Sequence, residues 1–134
     1  MKPPWSTITA YDLNNGTIKW QVPAGDDPVL AAQGIHGTGA RGLRTGIVST
    51  STGLVFNVSG DNKVRAYDED SGKVVWEHAI AGNSTGCPSI YTIDGREYLV
   101  ISVSGPFVGG RGGGAVSTTS LPSGYVVFTL PGTK

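Results

Sequence analysis

Short runs of alternating apolar and polar residues fill much of the chain, each broken by a cluster of Asp, Asn, Ser or Gly. Thr7-Ile8-Thr9-Ala10-Tyr11 leads into Asp12-Leu13-Asn14-Asn15-Gly16, and Thr17-Ile18-Lys19-Trp20 resumes the alternation. A strand, a turn-forming cluster and a second strand ending in Trp read as a β-hairpin, with Gly16 supplying the positive φ of the turn. The signature returns as Ala66-Tyr67-Asp68-Glu69-Asp70-Ser71-Gly72-Lys73-Val74-Val75-Trp76, with Ala, Tyr, Asp, Gly and Trp at the same offsets. The hairpin is therefore a repeat. One hairpin alone is marginal in water, so repeated ones imply units that bury their faces against each other.

Strands are predicted at 6–12 and 17–22, at 46–51, 54–59, 63–69 and 73–79, and at 87–93, 97–104 and 124–130. The middle four, with turns at Ser51-Thr52-Gly53, Ser59-Gly60-Asp61-Asn62 and Glu69-Asp70-Ser71-Gly72, form an antiparallel meander. The chain thus divides into a two-stranded fragment (1–23), a loop (24–45), a complete four-stranded unit (46–80) and a last, incomplete unit (86–134). In that last unit Val127-Phe128 take the places of Ala10-Tyr11 and Ala66-Tyr67. The Trp rings are expected to cover the sheet edge and dock on the neighbouring unit. Open edges and uncovered faces call for a partner: the rest of a larger array, or other copies of the chain.

The repeat resembles the tryptophan-docking motif of quinoprotein dehydrogenases, the eight-bladed β-propellers that hold pyrroloquinoline quinone (PQQ). Gly53-Leu54-Val55-Phe56, Gly86-Cys87-Pro88-Ser89-Ile90-Tyr91-Thr92 and Gly95-Arg96-Glu97-Tyr98-Leu99-Val100-Ile101 are similar, in order, to segments near the C-terminus of that family. The fold class expected is all-β: propeller blades of antiparallel sheet, one complete and two partial. A chain of 134 residues is too short for eight blades of roughly 40–60 residues each.

Composition agrees with many short strands: 21 glycines, 38% apolar and only 15% charged residues. Lys plus Arg and Asp plus Glu number 10 each, so there is no basic field to attract nucleic acid. The start, Met1-Lys2-Pro3-Pro4-Trp5, has no apolar core of a signal peptide, although the family is periplasmic. A fragment whose natural N-terminus lies elsewhere is the favoured reading, since the chain begins within a repeat. Cys87 is the single cysteine, expected to be small and buried.

The loop at 24–45 is the leading candidate for a site, because a connection of that length is usually functional. The resemblance places Arg44 where methanol dehydrogenases have a Trp bordering the quinone. Arg41, Arg44 and Thr45 are the candidate cofactor-binding residues, a guanidinium pairing with a cofactor carboxylate. His36 is a candidate for ligand contact, and His78 reads as an ordinary strand residue. The Gly-rich stretch from Gly105 to Gly114 lacks a following helix pattern and reads as a flexible inter-strand loop. Asp12 and Asp68 precede the turn glycines and are expected to accept backbone N–H bonds there. No stretch matches the family's catalytic Asp or its Ca²⁺ ligands.

The function implied is that of the C-terminal part of a PQQ- and Ca²⁺-dependent dehydrogenase of an alcohol or sugar, closing the propeller and lining the cofactor funnel. The alternatives are a non-catalytic propeller scaffold and a truncated fragment with no independent activity.

Overall fold

A computed structural model describes residues 2–40, 46–84, 86–104 and 123–129. Among them run β1 (Thr7–Asp12), β2 (Thr17–Pro23), the single helical turn α1 (Pro28–Ala31), β3 (Ile47–Ser49), β4 (Leu54–Ser59), β5 (Lys63–Asp68), β6 (Val74–Ala79), β7 (Ser89–Ile93), β8 (Arg96–Val103) and β9 (Gly124–Thr129). They form three antiparallel sheets, β1-β2, β3-β4-β5-β6 and β7-β8-β9. One meander is complete and is flanked by a pair and a triplet, as the alternation of the sequence implies. β6 runs to Ala79, as the strand expected at 73–79 implies. One expectation changes: α1 interrupts the loop, because Asp27 caps the N–H groups of Val29 and Leu30 and Pro28 suits the first helical turn. The Gly-rich stretch at 105–114 lies outside the described residues.

The two repeats fold alike in detail. Ala10 pairs with Trp20 but Tyr11 with Ile18; Ala66 pairs with Trp76 but Tyr67 with Val74. Each second strand therefore carries one extra residue, Lys19 or Val75, a β-bulge. The turns agree too: Gly16 N–H donates to Asp12 O and Gly72 N–H to Asp68 O, both at 2.8 Å. Asp12 Oδ1 accepts Asn14 N–H at 2.9 Å and Asp68 Oδ1 accepts Ser71 N–H at 2.8 Å. The aspartates hold turns.

The core lies between the second and third sheets. Val58, Val64 and Ile80 face Leu99, Ile101 and Val103, with Phe56 and Phe128 packed beside them. Trp76 meets Phe128 edge-on at 5.2 Å and stacks on His78 at 5.9 Å. The first sheet joins the second through Trp20, whose Nε1 donates to Glu69 O at 2.8 Å while its ring lies over Gly72. On the far face of the third sheet, Tyr91 stacks on Tyr98 at 5.1 Å, and Tyr125 and Val127 are exposed.

Candidate functional site

Antiparallel connectivity sorts the loops between two ends. β2 ends and β3 begins at the same end as the β4–β5 turn, the β6–β7 connector and the end of β8. Hydrogen bonds confirm the grouping: Asp26 N–H donates to Asp61 Oδ2 (3.2 Å), Ile80 N–H to Asn62 O (2.8 Å), and Asn83 and Ser104 exchange a pair. Asp26, Thr38, Asp61 and Asn62 lie on this end face. Arg41, Arg44 and Thr45 fall in the same β2–β3 connection but lie outside the described residues.

Their neighbours are fixed. Ala40 is buried, with its N–H on Ala24 O and its carbonyl accepting from Ser6 Oγ at 2.7 Å. Gly46 is pressed on Cys87: a Cβ there would stand 2.3 Å from Sγ. The beginnings of the second and third sheets thus touch. Cys87 itself is exposed, contrary to the expectation of burial, on the connector ahead of β7.

Loop 24–40 is anchored by charge. Asp61 receives Arg65 on both oxygens, at 3.0 and 2.5 Å, and each side chain is only 7% exposed. Arg65 Nε also reaches Glu77 at 2.7 Å, and Lys63 holds the other Glu77 oxygen at 2.6 Å. Burial works against the Arg65 charge, but Asp61 and Glu77 outweigh it and raise its pKa. Gly25 crosses this pair so closely that a Cβ would meet Ser59 at 2.8 Å and Asp61 at 2.9 Å. Beyond it, the Asp26 carboxylate accepts Thr38 N–H at 3.1 Å and lies 3.0 Å from His36 Nδ1. Burial raises the Asp26 pKa, yet the bonds from Thr38, His36 and Gly37 prevail and lower it overall. These partners are ten or more residues apart, and no sequence signal joined them.

Three buried oxygens, Asn62 Oδ1, Tyr67 Oη and Ser84 Oγ, have no hydrogen-bond partner among the described residues, and Asn62 and Ser84 belong to loops of this end. No group of three His, Cys, Asp or Glu is placed to hold a metal among the described residues. A cleft of about 340 Å³ lies elsewhere, on the seam between the second and third sheets, walled by Phe56, Trp76, Leu99 and Phe128. No helix of the described residues is long and apolar enough to cross a membrane.

Three antiparallel sheets joined through Trp rings define a piece of a β-propeller. The family model that matches residues 1–99 is the PQQ "Glucose/ethanol/alcohol dehydrogenase, beta-propeller domain", and the chain belongs to that family. It is 32% identical over 144 residues to the glycerol dehydrogenase large subunit of Gluconobacter thailandicus, covering 97% of this chain and 17% of that protein. It is 36% identical over 131 residues to a probable quinate dehydrogenase (quinone) of Xanthomonas campestris pv. juglandis, covering 92% and 16%. Among solved structures, quinohemoprotein alcohol dehydrogenase ADHIIG of Pseudomonas putida HK5 matches with TM-score 0.54 and 29% identity over 72% of this chain and 12% of that one. The quinohemoprotein alcohol dehydrogenase of Comamonas testosteroni shares the fold with TM-score 0.57 and 24% identity over 92% and 16%. The chain spans about a sixth of the length of these curated relatives. The cofactor implied by the family is PQQ with Ca²⁺.

Proposed function

We propose that this chain is a C-terminal part of a PQQ-dependent dehydrogenase that oxidises an alcohol or sugar in the periplasm, its blades bounded at 1–23, 46–80 and 86–134. Its share is to help close the propeller through the tryptophan-docking repeat and to line one side of the cofactor funnel. The observation that carries this reading is the fold: antiparallel sheets joined through Trp20 and Trp76, in a chain whose residues 1–99 match the family model.

The residues present fit part of a quinone site. The Ser84 hydroxyl is a donor for a carbonyl or carboxylate oxygen, and Arg41 and Arg44 supply guanidinium charge for carboxylates. When bound, the quinone accepts the hydride of the substrate. The chain's own residues orient the ligand; the base and the Ca²⁺ ligands would come from other blades, so the chain alone has no dehydrogenase activity. The test is equilibrium binding of PQQ, with Ca²⁺, to the 134-residue chain. Arg44→Ala should weaken binding about tenfold, the worth of one charge-assisted contact. Binding that ignores both Arg41→Ala and Arg44→Ala would remove these residues from the site.

A further inference from the structure

We propose that Asp26 and His36 form a proton-accepting dyad on the end face. Asp26 is fixed on three sides. One carboxylate oxygen takes Thr38 N–H at 3.1 Å, the other faces His36 Nδ1 at 3.0 Å, and the backbone N–H donates to Asp61 at 3.2 Å. Asp61 is gripped in turn by Arg65, which also holds Glu77, itself paired with Lys63. With Asp27 on the same loop, these are the charged groups around Asp26 among the described residues.

An ionised carboxylate only accepts hydrogen bonds, so the proton of neutral His36 sits on Nδ1 and donates to Asp26. The lone pair is then on Nε2. The His36 side chain is 67% exposed, and its one hydrogen bond among the described residues uses Nδ1 and not Nε2. An oriented imidazole with a free Nε2 is a general base.

The use assigned to it rests on the dehydrogenase reading. Oxidising an alcohol to a carbonyl removes two electrons and two protons. Both electrons and one hydrogen leave as hydride to a quinone-class acceptor, and the hydroxyl proton must reach water. A proton bonds to Nε2, giving an imidazolium whose other N–H stays on Asp26. It then passes to bulk water and restores the neutral ring.

Nitrogen-15 NMR of the full chain at about pH 8.5, where imidazole is neutral, tests the dyad without any cofactor. His36 is expected as the Nδ1–H tautomer. In Asp26→Asn the remaining oxygen stays on Thr38 N–H, and the new NH₂ donates to Nδ1, moving the ring proton to Nε2. Acylation of His36 by diethyl pyrocarbonate should fall severalfold in the same variant. If Asp26→Asn does not fold, Asp61→Asn carries the test, with a mixed tautomer expected. An Nε2–H tautomer in the parent chain, or a tautomer unchanged by the substitution that folds, overturns the proposal. The result is independent of quinone binding, so loss of the dyad and loss of the dehydrogenase reading are distinguishable.

Discussion

Gly72 lies under the ring of Trp20, so close that a Cβ on it would stand 2.6 Å from Trp20 Cε3. The same residue has φ of +69°, as its repeat counterpart Gly16 has +71° with nothing within 4 Å of its missing Cβ. Gly16→Ala therefore meets only the backbone cost, about 1–2 kcal/mol. Gly72→Ala adds displacement of the Trp ring, roughly 1–3 kcal/mol more. Urea unfolding of the two variants reads the difference; equal losses would mean that the ring does not lean on Gly72.

Trp76 and Phe128 join the second sheet to the third through an edge-on contact, with His78 against both rings. A double-mutant cycle of Trp76→Ala and Phe128→Ala should give a coupling energy of about 0.5–1.5 kcal/mol. Additive losses would show the two sheets to be independent.

Arg65 is the centre of a buried charge network. Its removal leaves Asp61, 7% exposed, without its cation. Arg65→Ala should cost about 3–5 kcal/mol, as for other buried pairs broken on one side. Amide exchange should show Asp26 and Thr38 opening first, since their loop hangs on Asp61; protection lost evenly over the chain would contradict this anchoring.

Three carboxyls have pKa values below ordinary. At Asp26, burial raises the value but is outweighed by bonds from Thr38 and His36; at Asp68 the Ser71 hydroxyl lowers it, and at Glu77 the Lys63 ammonium does. Each binds its proton less tightly folded than unfolded. Each therefore contributes stability that is present above the ordinary value, 3.8 for Asp and 4.5 for Glu, and is lost as pH falls through the lowered one. The urea midpoint should hold from neutrality to about pH 5 and drop below it. Combining Asp26→Asn, Asp68→Asn and Glu77→Gln should flatten that drop; an unchanged acid limb would assign it to other groups.

The strands were legible because alternation and Gly-containing turns are local signals, and the role of Asp12 and Asp68 followed from their place before the turn glycine. The bulges after Ala10 and Ala66 were not legible, since an extra residue such as Lys19 or Val75 leaves no mark in the apolar pattern. Asp27-Pro28 did carry the signature of a helix start, hidden by a span of loop-like residues. The Asp61–Arg65 pair is four residues apart on a turn and strand, and Asp26–His36 spans a loop. Only the folded backbone brings either together. Exposure of Cys87 depended on the path of the connector ahead of β7, which only the folded chain sets.

The central claim is that the open sheet faces belong in a propeller whose end face takes the quinone. Light scattering combined with a melting curve, with and without PQQ and Ca²⁺, tests it most directly. The account predicts a discrete assembly that covers Tyr125 and Val127, with a melting temperature that rises on adding cofactor, as any ligand selective for the folded state requires. A monomer or heterogeneous aggregate whose melting ignores the cofactor would contradict it.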